Sequence, residues 1–253
     1  MSPNPTSKAL STMREHGVQA LLMGGQACVL YGAAEFSRDT DFAVLASPEN
    51  LACLQSAMGH LNAAVIAVPP FDISYLERGH AVHFRSQHPE AMGLRIDVMT
   101  RMRGVDEFDV LWNRRTTFDL TGLGAVETLA LEDLVASKKT QRDKDWPMLR
   151  RLVEAHYHQN YASPTPPQIE FWFRELRTPE ILVESAARFP DEIRDLASER
   201  PLLHEVLSGD LDHIRAQLNA EEVLVRTLDR AYWAPLKAEL EELGGVGRAE
   251  AYG

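Results

Sequence analysis

The sequence has few cysteines, no long apolar run and no excess of positive charge, and each absence excludes a class of protein. Cys28 and Cys53 are the two cysteines among 253 residues. That number is too small for a disulfide scaffold and favours reduced thiols in a cytoplasmic protein. No apolar run approaches the ~20 residues that a membrane-spanning helix needs. Residues 1–10 lack the basic and apolar segments of a secretory signal, so we expect a cytoplasmic protein without a membrane partner.

The net charge of −11 is unevenly distributed along the chain. Residues 152–253 contain 10 Lys and Arg against 19 Asp and Glu, whereas residues 1–151 contain 16 against 18. Proteins that bind nucleic acid extensively contact its phosphates through Lys and Arg. The acidic second part is therefore predicted to be a solvated surface rather than a nucleic-acid-binding one.

The hydrophobic pattern predicts an α+β chain with a boundary near residue 125. Strand-like segments alternate with helical ones up to that point, which favours a mixed central sheet flanked by helices in residues 1–125. From residue 131 apolar residues recur at helical spacing, so residues 126–253 are predicted to form an all-α region. The prolines in "PTPPQ" (164–168) predict a linker or tight turn, and residues 168–245 are expected to form several short helices.

Two carboxylates stand one residue apart in the predicted strand "DTDFAVL" (39–45). Asp39 and Asp41 point to the same face of such a strand, because side chains alternate between its faces. Two ionised carboxylates so close are stable only with a cation between them or with one protonated. Hard oxygen ligands of this kind suit Mg²⁺, which commonly binds substrate phosphates as well.

Gly24 and Gly25 follow the apolar strand "VQALLM" (18–23) and open a predicted helix. A backbone without Cβ atoms lets a phosphate approach closely, and the helix N-terminus favours an anion there. Asp97, in "LRIDVMT" (94–100), is a third carboxylate within a strand. If its strand lies beside that of Asp39 and Asp41, the three can hold metal ions or activate a hydroxyl nucleophile.

Gly24-Gly25, a gap of 13 residues, Asp39-Thr40-Asp41 and Asp97 together resemble the nucleotidyltransferase superfamily that includes DNA polymerase β. The stretch "LEDLVASKKTQRDKDWPMLRRL" (131–152) is similar to a helix pair of the bacterial AbiEii-type toxins and minimal nucleotidyltransferases. The resemblance covers about residues 15–155. Many AbiEii-like members carry a further Asp where this chain has Ala43, and this departure bears on the roles within the acidic pair.

The resemblance implies transfer of a nucleoside monophosphate from an NTP to an acceptor hydroxyl. Asp39, Asp41 and Asp97 would be the catalytic and metal-binding residues, with Mg²⁺ or Mn²⁺ as the cofactor. The residues that would bind the nucleotide are Gly24, Gly25, Gln26, Arg38, Lys138 and Arg142. A tRNA, a protein hydroxyl or a small molecule would be the acceptor, and the AbiEii likeness adds a toxin–antitoxin role with an antitoxin partner.

Alternatives to these roles stay open on the residues alone. Gly-Gly also forms ordinary tight turns, and Lys138 and Arg142 also fit solvent-facing charges. Arg38 fits an ion pair with a carboxylate as well as a nucleotide contact. The rival to an enzyme is a catalytically silent nucleotide-binding or protein-interaction module. His80, His83 and His88 have a spacing that fits no zinc template.

Overall fold

A computed structural model of the chain describes residues 4–34 and 36–251, with side chains described up to residue 244. The described residues contain seven strands, which we number β1–β7, and twelve α-helices, which we number α1–α12. The strands are β1 Ala20–Met23, β2 Asp39–Val44, β3 Ala63–Val65, β4 Val82–Ser86, β5 Arg95–Met99, β6 Thr116–Leu120 and β7 Gly124–Thr128.

The helices of the first 137 residues are short and lie between or beside these strands. They are α1 Pro5–Glu15, α2 Gly24–Leu30, α3 Pro48–His60, α4 Ile73–Glu77, α5 Phe108–Arg114 and α6 Leu131–Ser137. Helix α3 begins as the sequence predicts, with Pro48 in its first turn and the Ser47 hydroxyl accepting a hydrogen bond from the Asn50 N–H at 3.1 Å. This is the side-chain cap that satisfies one of the free N–H groups at a helix start.

The later part of the described chain is helical. Its helices are α7 Asp145–Asn160, α8 Pro166–Glu175, α9 Pro179–Arg188, α10 Pro190–Leu196, α11 Leu202–Val206 and α12 Leu211–Ala251. Two expectations were wrong here. Pro166 starts α8 instead of lying in a linker, because a proline in the first helical turn gives up no hydrogen bond. The last 41 residues of this region form one long helix with Pro235 inside it.

Contacts divide the chain into two compact units. The first unit comprises residues up to Ser137 together with those from Tyr232 onward, and the second unit comprises Lys138–Ala231. Because contact density does not define which parts fold independently, the division at residue 125 stays a prediction. The α+β class and the helical C-terminal region agree with the sequence analysis.

The seven strands form one mixed sheet in the first unit, with the order β3-β4-β5-β2-β1-β7-β6. Strand β2 pairs antiparallel with β1 and parallel with β5, so it lies at the centre of the sheet. Phe42, Ile96 and Val98 are buried on one face of β2 and β5. Alternation along a strand places the polar residues between them on the opposite face. Strand β7 was not predicted, because Val126 is its one large buried apolar residue.

Candidate active site

The three predicted carboxylates share one face of the sheet. Strands β2 and β5 run parallel with Asp41 opposite Asp97, and Asp39 lies two residues before Asp41. Neighbouring strands are about 4.8 Å apart, and directly paired residues point to the same face. Strand β5 therefore lies beside β2 in the register that a site shared by the three carboxylates requires.

Two basic side chains lie on the same face and contact Asp97. The Arg95 Nε donates a hydrogen bond to the Asp97 Oδ1 at 2.8 Å, and the His83 Nδ1 is 2.9 Å from the same oxygen. The pairing of strands explains this placement. Arg95 precedes Asp97 by two residues, and His83 is its register partner on β4. Arg95 is also paired in register with Asp39, so the guanidinium stands among the carboxylates.

The charges of this group perturb one another. Burial raises the pKa of the Asp97 carboxyl, but the hydrogen bonds from His83 and Arg95 outweigh burial, and the pKa lies below its ordinary value. The hydrogen bond to Asp97 raises the pKa of Arg95, and the charges of Asp39 and Asp41 raise it further. Asp97 is therefore ionised at neutral pH, with its charge compensated by its neighbours.

Gly24 and Gly25 begin helix α2 directly after strand β1. Gly24 has a φ of +67°, and a Cβ added there would lie 2.5 Å from the Asp41 Cγ. A Cβ on Gly25 would lie 2.9 Å from the Cβ of Ser37. Both glycines are thus required by the close approach of the chain's own side chains, and Asp41 packs directly on the start of α2. Their predicted contact with phosphates stays a prediction.

Gln26 fixes the segment that leads into β2. Its Nε2 donates hydrogen bonds to the Ser37 carbonyl at 3.0 Å and to the Thr6 Oγ1 at 3.1 Å. The Ser37 Oγ donates in turn to the Asp39 carbonyl at 3.1 Å. Gln26 therefore positions the start of the acidic strand, while Arg38 beside it is exposed.

Lys138 and Arg142 belong to the second unit, where both contact Asp145. The Lys138 Nζ is 3.4 Å from the Asp145 Oδ1, and the Arg142 Nε is 2.8 Å from the Asp145 Oδ2. The Thr140 Oγ1 donates to the same carboxylate at 2.6 Å. Both cations thus stabilise a buried acid at the start of α7, and their predicted role toward a triphosphate stays a prediction.

Sequence reasoning missed Arg95 and His83 as parts of this site. Arg95 carried a usable signal, because a residue two positions before Asp97 in a strand points to the same face. His83 carried none, since its place opposite Asp97 depends on the pairing of β4 with β5. As placed, no three His, Cys, Asp or Glu side chains of residues 4–34 and 36–244 form a group that could hold a metal ion.

Comparisons with known proteins give little beyond this geometry. No family model matches the chain, and no curated protein matches it in sequence. Among solved structures it is similar to one described as "putative nucleotidyltransferase from H. pylori", with 15% identity and a TM-score of 0.40. That match covers 90% of this chain and 94% of the other. An identity and a TM-score this low do not define a function for this chain.

Within residues 4–251, apart from residue 35, no helix has the length and apolar character that crossing a membrane requires.

Proposed function

We propose that the chain is a metal-dependent nucleotidyltransferase, which moves a nucleoside monophosphate from an NTP to an acceptor hydroxyl and releases pyrophosphate. The observation that supports this most directly is the register of β2 against β5, which brings Asp39, Asp41 and Asp97 to one face beside the start of α2. Three carboxylates on one polar face destabilise a fold unless a cation or a substrate compensates them.

The donor set fits Mg²⁺ or Mn²⁺ in its chemistry. Asp39 and Asp41 supply the hard carboxylate oxygens that these ions prefer, and both are partly exposed. When bound there, the ion would neutralise charge on the phosphates of the NTP. In the arrangement described, the Arg95 guanidinium contacts Asp97 beside this pair, so we expect it to move aside when the ion binds.

The chain's own residues have separate roles in this proposal. Asp39 and Asp41 would hold the ion. Asp97, which is ionised at neutral pH, accepts the proton of the acceptor hydroxyl, and His83 orients its carboxylate. Gly24 allows Asp41 to reach the start of α2, where backbone N–H groups favour the polyphosphate. The acceptor is a tRNA end, a protein hydroxyl or a small molecule, and a toxin–antitoxin role with an antitoxin partner rests on the sequence resemblance alone.

The test is pyrophosphate release from each of the four NTPs with Mg²⁺, with RNA, total protein and cationic small molecules as acceptors. Asp41→Asn is expected to lower turnover by about a thousandfold or more, since loss of a metal ligand removes several kcal/mol of transition-state stabilisation. Asp119→Asn is the matched control, because Asp119 is an exposed aspartate on β6 of the same sheet. Equal turnover in the wild type and Asp41→Asn would refute the proposal.

One observation favours a second candidate, a catalytically silent nucleotide-binding or protein-interaction module. The Asp97 carboxylate already has its charge compensated by Arg95 and His83, as in a structural ion cluster. Titration calorimetry separates the two candidates. Mg²⁺-dependent NTP binding that Asp41→Asn abolishes, without pyrophosphate release with any acceptor, would favour the module.

A further inference from the structure

The second unit contains a cavity of about 410 Å³, a volume typical of sites for small ligands. Its lining is more basic than the unit around it. The unit has 14 Lys and Arg against 17 Asp and Glu, whereas the cavity is lined by four arginines and two carboxylates. These charged residues are Arg150, Arg177, Arg215, Arg226, Asp143 and Glu222.

Arg177 is the unusual member of this lining, because its charge is buried and incompletely paired. Its side chain is 10% exposed, and within the described residues its Nε and Nη1 have no hydrogen-bond partner. The Glu221 Oε2 lies 3.5 Å from the Arg177 Nη1, but Arg200 already binds both oxygens of that carboxylate, at 3.0 and 2.8 Å. Glu221 is thus shared between two guanidinium groups.

Burial of this guanidinium carries a cost that the surrounding residues do not fully offset. Burial lowers the pKa of Arg177, and the nearby positive charge of Arg200 lowers it further, although an arginine stays protonated in proteins. The guanidinium lies over the Trp146 ring at 4.8 Å, a favourable cation–π contact that provides no hydrogen-bond acceptor. Buried charges in stable proteins are normally both paired and hydrogen-bonded.

The other arginines of the cavity differ from Arg177 in their pairing. Arg226 contacts Asp143 and binds Glu222 at 2.7 Å, so the two carboxylates of the lining are already engaged. Arg150 is 56% exposed, and its Nε is 3.9 Å from Glu154. Arg215 pairs with Glu180 and Asp212, neither of which lines the cavity. A ligand entering the cavity would therefore meet the exposed Arg150 and the buried Arg177, while both lining carboxylates contact Arg226.

We propose that this cavity binds a small phosphate-bearing molecule, with Arg177 and Arg150 as its principal ligands. Guanidinium groups match the oxygens of a phosphate in a bidentate geometry, and hydrogen bonds between charged partners are the strongest in proteins. The Trp146 ring is covered by Arg177 and Arg226, at 4.8 and 5.7 Å, and does not serve as a stacking surface for a base. Recognition is thus directed at the phosphate group, and it does not depend on the proposed nucleotidyl transfer.

The experiment is titration calorimetry of the full chain with inorganic phosphate, pyrophosphate and AMP, without Mg²⁺ and at constant ionic strength. Omitting the metal keeps the carboxylate face of the first unit out of the measurement. The wild type is expected to bind at least one of these ligands. Arg177→Met and Arg150→Met are each expected to weaken binding by about tenfold or more, the loss typical of a charged hydrogen bond.

Arg174→Met is the matched control, because Arg174 is 45% exposed in the same unit, pairs with Glu170 and Glu199, and does not line the cavity. Should Arg177→Met fail to fold by circular dichroism, the exposed Arg150→Met variant decides the question. Absence of binding to all three ligands would overturn the proposal. Equal affinity in the wild type and Arg150→Met would also overturn it.

Discussion

Two groups of acidic residues, one in each unit, differ in how their charge is compensated. In the second unit, one buried carboxylate, Asp145, is contacted by Lys138, by Arg142 and by the Thr140 hydroxyl. In the first unit, three carboxylates share one face, and the contacts of Arg95 and His83 converge on one of them, Asp97. In the first arrangement several groups contact one carboxylate, whereas in the second several carboxylates lie close together on one face.

This difference separates a structural acid from a candidate binding acid. A buried carboxylate surrounded by cations has its charge compensated by the chain, and removing it leaves those cations unpaired. Carboxylates that lie close together repel one another and raise the free energy of the folded chain, and a bound cation relieves that repulsion. The sequence alone shows acidic residues near Lys and Arg in both places, so only the contacts distinguish the two.

The largest expected effect is on the unfolding free energy when Asp145, the buried acid of the second unit, is replaced. Asp145→Asn removes the partner of Lys138, whose side chain is 11% exposed, and leaves a buried charge unpaired. Breaking a buried pair in this way costs about 3–5 kcal/mol of unfolding free energy. Urea unfolding monitored by circular dichroism measures this loss of unfolding free energy. A loss below ~1 kcal/mol would mean that Asp145 is not the structural acid described here.

The pH dependence of the same variant provides its control. Burial raises the pKa of Asp145, but Lys138, Thr140 and Arg142 outweigh it, and the folded pKa lies below the ordinary value. The stabilisation by Asp145 is therefore fully present above the unfolded pKa, about 3.9, and is lost as the pH falls through the folded pKa. The difference between the wild type and Asp145→Asn should shrink below about pH 4. A difference that is constant with pH would contradict the ionic origin of the effect.

The next largest effect is expected from Gly24→Ala in the first unit. The new methyl group would overlap the Asp41 carboxylate, and alanine is strained at a φ of +67°. Overpacking and strain together should cost about 2–5 kcal/mol. Gly17→Ala is a matched control, because Gly17 has a φ of +68° and nothing within 4 Å of its Cβ position, so strain alone should cost about 1–2 kcal/mol. Thermal unfolding measures both losses of stability. Equal losses in Gly24→Ala and Gly17→Ala would show that the close approach of Asp41 does not require a glycine at position 24.

A smaller effect is expected from Arg95→Met on metal binding. Removing the guanidinium that compensates Asp97 should increase the affinity for Mn²⁺ by about tenfold, or 1.4 kcal/mol, because the ion no longer competes with it. Arg85→Met is the control, since Arg85 pairs with Arg95 in register but is exposed. The measurement is titration of the water-proton relaxation of Mn²⁺. An affinity that falls or stays the same in Arg95→Met would contradict competition between the arginine and the ion.

The smallest expected effect is on stability in Asp39→Asn. Removing one of three like charges relieves repulsion, so the unfolding free energy should stay constant or rise by about 0.5 kcal/mol, opposite in sign to Asp145→Asn. Urea unfolding without metal measures this difference. A loss comparable to that of Asp145→Asn would remove the distinction between the two acidic groups.

Much of the first unit could be predicted from the sequence, and much of the second could not. Strands with alternating apolar residues, such as β2, and the capped start of α3 follow from local patterns. Helix α12 did not, because one proline in a long periodic segment does not reveal whether the helix continues through it. The buried arginine of the cavity was missed as well, since "RTPE" (177–180) looks like an ordinary exposed helix start.

The sequence by itself determined that Asp39 and Asp41 face the same side, that a glycine pair precedes them after a strand, and that the chain is α+β. Each of these follows from spacing over a few residues. The tertiary structure alone decided that β5 lies beside β2 with Asp97 opposite Asp41, that Arg95 and His83 compensate that acid, and that Arg177 is buried without matched partners. These features depend on pairing and packing between distant segments, which local periodicity does not encode.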